Sequence, residues 1–90
     1  MFIVTNCTPT GNYTPNVFKE MKDAIDWIYE CTANNIKACT DKDLSNMTNI
    51  EVCHAAEYFM DCKISLYRTE LYYSDDTYNI MELFEVGDIY

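Results

Sequence analysis

Between Val17 and Cys31 apolar residues recur at the spacing of an α-helix, and no other segment constrains the fold as tightly. Val17, Phe18, Met21, Ala24, Ile25, Ile28 and Cys31 fall on one stripe, while Lys19, Glu20, Lys22, Asp23, Asp26 and Glu30 lie off it. A helix of this kind has one face to bury and needs a second layer to bury it against. Trp27, at neighbouring-turn spacing from Ala24 and Cys31, is expected to cover the edge of the stripe. Thr14 or Asn16 is the expected N-cap, with Pro15 at a tolerated first-turn position, and Asn34-Asn35 is the expected stop.

The second layer is expected from the two ends of the chain. Met1–Thr8 carries Phe2, Ile3, Val4 and Thr5, which favour a pleated strand, and Pro9 ends it. Residues 9–15 hold both prolines and one of the two glycines and read as a loop. Ile36–Cys39 fits either a short strand or a connection. Thr40-Asp41-Lys42-Asp43 resembles a capping box with Asp in place of Glu, opening a short helical turn that buries Leu44 and Met47. Thr48-Asn49-Ile50-Glu51 is a better capping box and predicts a helix to about Asp61. Val52, Cys53, Ala56, Phe59 and Met60 would face inward there, with Glu51, His54, Glu57, Tyr58 and Asp61 outward.

Lys63–Tyr73 and Thr77–Val86 read as the two strands of a hairpin, joined by the turn residues Ser74-Asp75-Asp76, with residues 87–90 as a short tail. In the last strand Ile80, Phe84 and Val86 alternate with Met81, Leu83 and Glu85, so both faces carry apolar residues. Such a strand is either central or covered on its second face by a partner, and a homodimer is one such arrangement. The expected fold is α+β: a small antiparallel sheet of N-terminal strand plus C-terminal hairpin, with two to three helices packed on one face. A chain of 90 residues makes this a single domain, 1–90, with one core that needs no metal or disulfide.

The charge is lopsided. There are 15 Asp and Glu against 6 Lys and Arg, a formal net charge of −9. From Asn46 onward nine acids stand against Lys63 and Arg68, and six of the eight tyrosines lie in the same half. A field of this sign repels nucleic acid and anionic lipid and attracts basic protein surfaces. Tyr67, Tyr72, Tyr73 and Tyr78 flank the hairpin turn beside Glu70, Asp75, Asp76 and Glu82. Tyrosine is enriched at interfaces, where it offers apolar area and a hydroxyl at low entropic cost. The expected partner-binding residues are therefore Glu70, Tyr72, Tyr73, Asp75, Asp76, Glu82 and Glu85. The competing reading is that the acids confer solubility and some of the tyrosines are core.

Other chemistries find less support. Five cysteines, no basic leader and no apolar run of bilayer length suggest reduced thiols in a cytoplasmic protein, with no membrane partner. No Cys-x-x-Cys pair is present, and Cys53 and His54 diverge as helix neighbours. A zinc site would need the fold to gather Cys39, Cys53, His54 and Cys62, and a small metal-binding structural or regulatory module is the alternative function on that basis. Acidic surroundings disfavour a reactive thiolate, and a domain this small has little room for a catalytic cleft. With only Gly11 and Gly87, no phosphate-cradling loop can form. The expectation is a binding protein, not an enzyme, with no cofactor.

A short single domain, strongly negative, without an enzyme motif and mixing strands with helices, resembles the small acidic inhibitors that phages carry against bacterial defence nucleases, the anti-CRISPR and DNA-mimic proteins. The resemblance is one of type, with no shared motif. It implies binding to a basic, nucleic-acid-handling protein such as a CRISPR effector nuclease in the host cell, where the acids would face arginines and lysines that otherwise meet phosphates and so block DNA loading. It implies no direct contact with nucleic acid.

Overall fold

The amphipathic segment forms one nineteen-residue helix, displaced towards the C-terminus from where its spacing placed it. In a computed structural model of the chain, described over residues 1–12 and 14–87, the elements are β1 (Phe2–Thr8), β2 (Gly11–Asn12), β3 (Asn16–Phe18), α1 (Met21–Cys39), α2 (Asn49–Ala56), β4 (Asp61–Ile64), β5 (Arg68–Tyr72) and β6 (Tyr78–Glu85). The fold is α+β, with the strands in one antiparallel sheet of order β2-β1-β6-β5-β4 and β3 beside β2 on the outer edge of β1. Tyr13 and most of the expected tail, 88–90, lie outside the described residues.

The helix starts at Met21 and not near Asn16, because Asn16–Phe18 pairs with β1 in the register Phe2↔Phe18, Ile3↔Val17, Val4↔Asn16. Val17 and Phe18 suit a strand, and this pairing gives the exposed edge of β1 its backbone partners. It also sets Phe18 against Trp27, ring centroids 6.3 Å apart, so Trp27 does cover the helix edge. The start of α1 follows Glu20, whose side chain makes no capping bond. Gly11 closes the two-residue turn after β1 at φ +134°, a conformation that side chains beyond glycine rarely adopt.

Asn34-Asn35 does not stop α1. Ile36, one turn beyond Thr32, is fully buried, and ending the helix before it would expose that side chain. The buried face is Ala24, Ile28, Tyr29, Thr32, Ala33 and Ile36, while Val17, at 57% exposure, is no part of it. Residues 40–43 form no capping box. Thr40 Oγ1 accepts from the Lys42 N–H at 3.2 Å, and Asp43 binds the Ser45 N–H at 3.1 Å, both two-residue turns. Leu44 is buried as expected, but Met47 is exposed.

The second capping box is present in both directions, with Glu51 N–H to Thr48 Oγ1 at 3.2 Å and Thr48 N–H to Glu51 Oε1 at 3.0 Å. The helix it opens ends at Ala56, because Asp61 is needed in β4, opposite Tyr72. The expected strand 63–73 is in fact two strands. Ser65 closes the turn between them, its N–H and hydroxyl both donating to the Arg68 carbonyl at 3.0 and 2.8 Å. The chain therefore ends in a three-stranded meander with β6 at its inner side, pairing β1 on one edge and β5 on the other.

Both helices lie on one face of the sheet. Tyr29, Ala33, Ile36, Leu44, Val52, Cys53, Ala56 and Leu71 form one buried cluster, and Val4, Ala24, Ile28 and Met81 a second. Between helix and sheet, the Thr32 and Thr69 hydroxyls meet at 2.7 Å, each residue only 1% exposed. Tyr29, buried along the same helix face, donates its hydroxyl to the Ser65 carbonyl at 3.2 Å and ties α1 to the β4–β5 turn.

Candidate functional site

The β5–β6 turn forms as its residue types dictate. Tyr73 and Thr77 close it with an N–H···O bond of 2.9 Å, and the Asp75 carboxylate accepts from both the hydroxyl and the N–H of Thr77. Those two bonds, the hydroxyl first, hold the Asp75 carboxyl below its usual range. Asp76 sits at φ +67°, a left-handed conformation that short polar side chains tolerate. The two carboxylates thus project at the end of the sheet.

Beside them a groove of about 750 Å³ opens, lined by Cys39 from the end of α1, Phe59, Met60 and Asp61 from the segment after α2, and residues 72–77. Its lining includes the aromatic residues Phe59, Tyr72 and Tyr73 and the acids Asp61, Asp75 and Asp76. Among the described residues none of the three is ion-paired. Phe59 already attracts one cation, since Lys42 Nζ lies 5.4 Å from its ring centroid. Tyr73 packs against the first core cluster, and burial, ahead of Cys39 and Asp75, raises its hydroxyl pKa.

Four of the seven expected contact residues, Tyr72, Tyr73, Asp75 and Asp76, therefore share one groove. The other three do not join them. Glu82 accepts from Arg68 Nη1 at 2.6 Å and Glu70 pairs with Arg68 Nε at 3.3 Å, so one guanidinium holds both carboxylates. The Tyr72 hydroxyl donates to Glu70, and this bond, ahead of Arg68, is the main cause of the lowered Glu70 pKa. Glu85 lies at the opposite end of β6, at a smaller cavity of about 290 Å³ with Phe2, Met21, Tyr67 and Leu83. Asp61, Phe59 and Cys39 are the groove residues that sequence reasoning missed. The break at Ser65 was the available signal, since separating β4 from β5 sets Asp61 opposite Tyr72.

The four candidate metal ligands occupy separate environments. Cys53 is fully buried, its thiol directed at the Tyr29 carbonyl at 3.7 Å, and burial, reinforced by Cys62, pushes its pKa up to about 12. His54 is exposed and meets Glu57 at 3.1 Å. Cys62 is half-buried at the margin of the same core cluster, and Cys39 lines the groove. Among the described residues no three His, Cys, Asp or Glu side chains are placed to hold a metal, and no helix is long and apolar enough to cross a membrane. No protein-family model, curated protein or solved structure matches the chain.

Proposed function

We propose that this chain is an inhibitory binding protein whose groove takes lysine or arginine side chains from a basic, nucleic-acid-handling protein and so blocks nucleic-acid loading. A bacterial defence nuclease is the kind of target that the resemblance in charge, size and composition suggests. The supporting observation is that Asp75 and Asp76, neither of them ion-paired among the described residues, border one open groove with Phe59 and Tyr73. Aromatic faces and carboxylates together recognise a cation on an aliphatic stem, the first through the ring quadrupole and the second through charge. The net charge of −9 adds long-range steering that accelerates encounter and fades with salt.

The test is capture of protein partners from nuclease-treated bacterial lysate at about 50 mM and about 500 mM salt, where the screening length falls from roughly 14 to 4 Å. Asp75→Lys/Asp76→Lys is compared with Asp23→Lys/Glu30→Lys, which makes the same charge change on the exposed side of α1. A partner lost at high salt and weakened about tenfold or more by the groove variant, but not by the helix variant, supports the reading. Equal weakening by both variants would mean that net charge alone attracts the partner, and the groove would then have no role.

A further inference from the structure

The helices lie on one face of the sheet, and among the described residues no element covers the other. Residues directly opposite in an antiparallel register share a face, so the pairing identifies its rows. Val17, Ile3 and Phe84 form the first row. Thr5, Glu82 and Arg68 form the second, and Cys7, Ile80, Glu70 and Lys63 the third. Tyr78, Tyr72 and Asp61 form the fourth. A one-sided antiparallel sheet ordinarily turns polar residues to water. Here seven of the thirteen side chains in these rows are apolar or aromatic, with Val17 57% and Phe84 45% exposed.

We propose that two copies of this chain pair through these open sheet faces. Charge selects a second copy over a basic target. On this face three carboxylates, Asp61, Glu70 and Glu82, accompany two cations, Lys63 and Arg68, and Arg68 is already bound to two of the three. The face is nearly balanced in a molecule of net charge −9, so it is where two copies meet with the least repulsion. A basic partner gains little here, because two of the three carboxylates are bound to Arg68 and only Asp61 is without an ion pair among the described residues.

Area is also consistent with a second copy. Five strand positions about 4.8 Å apart, each roughly 20 Å long, give on the order of 500 Å² per copy before side-chain relief is counted. Two such faces bury roughly 1,000 Å² in total, the lower bound of a specific interface. The dimer therefore belongs to the weak range, with half-association expected between about 1 and 100 µM. Pairing on this face covers Asp61 and Tyr72 but leaves Asp75 and Asp76 at the sheet end, so each dimer presents two acidic turns.

Sedimentation velocity from about 1 to 500 µM, at about 50 and 500 mM sodium chloride, tests the proposal. The expected result is a monomer–dimer equilibrium that tightens several-fold at high salt as repulsion between two acidic chains is screened, the opposite of the trend for a basic target. Phe84→Lys and Val17→Lys should each weaken association at least tenfold, with an unchanged circular dichroism spectrum. The two positions lie on different strands and both are exposed, so one folded variant is enough. A monomer at every concentration, a dimer untouched by both substitutions, or a dimer lost instead in Asp75→Lys/Asp76→Lys would overturn the proposal. So would a monomer whose lysate partner is lost on Phe84→Lys, since the face would then belong to the target.

Discussion

The two threonine hydroxyls buried between α1 and β5 allow a quantitative test of how helix and sheet are held together. Thr32 and Thr69 are each 1% exposed and their hydroxyl oxygens are 2.7 Å apart, so each is the other's oxygen partner, with Met81 Sδ a weaker contact of Thr32 at 3.9 Å. Valine matches threonine in shape and branching but removes the hydroxyl. Replacing one threonine leaves the other hydroxyl buried and unmatched, at a cost of about 1–3 kcal/mol, whereas replacing both removes the need for a partner. The two single variants should differ. A threonine inside a helix can turn its hydroxyl to the carbonyl four residues back, an option that Thr69 on its strand lacks.

Thr69→Val, which leaves the helical Thr32 with that fallback, should therefore cost about 1–2 kcal/mol, and Thr32→Val about 2–3 kcal/mol. In a domain of this length these correspond to falls in melting temperature of roughly 4–16 °C and 8–24 °C respectively. The double valine variant should return to within about 1 kcal/mol of the parent, a coupling of about 2 kcal/mol or more. Urea denaturation with a common m-value is the assay. If the double variant loses as much as the two singles combined, the hydroxyls are satisfied elsewhere and the pairing does not hold the layers.

Three further outcomes are expected. Asn34 is exposed in mid-helix, so Asn34→Ala should raise stability by about 0.5 kcal/mol, or roughly 2–4 °C, and a loss would mean that α1 ends there after all. The Asp75 carboxyl is held low by Thr77, so its stabilisation is complete above the unfolded-state pKa of about 4 and disappears as pH falls through the lower folded value. The melting-temperature gap between the parent and Asp75→Asn should accordingly narrow as pH falls below about 4, and a gap independent of pH would contradict the turn bonding. In timed alkylation read by mass spectrometry, exposed Cys39 should react at least about 100-fold faster than Cys53, which is buried with a thiol pKa of about 12. A bound partner in the groove should slow the Cys39 reaction.

What the sequence determined by itself is what depends on neighbours along the chain. The Thr48–Glu51 capping box and the Ser74-Asp75-Asp76 turn rest on interactions within a few residues. The spacing of the amphipathic helix and the strand propensity of the N-terminal segment are local too, and each formed, the strand with its ladder partners far along the chain in β6. The class of fold followed from them, because a helix with one apolar face and strands with apolar residues must bury each other. Tertiary structure decided the rest, since its causes lie far apart in sequence. Val17 and Phe18 became strand because β1 had an edge to pair, and α1 ran past two asparagines because Ile36 had a core to enter. The acids divided in the same way. Glu82 faces Arg68 across paired strands and Glu70 meets it from two residues along the same strand, whereas Asp61 comes near Asp75 and Asp76 only once β4 lies beside β5. Composition sets the total charge, but strand register decides which carboxylates are spent inside the molecule and which remain for a partner.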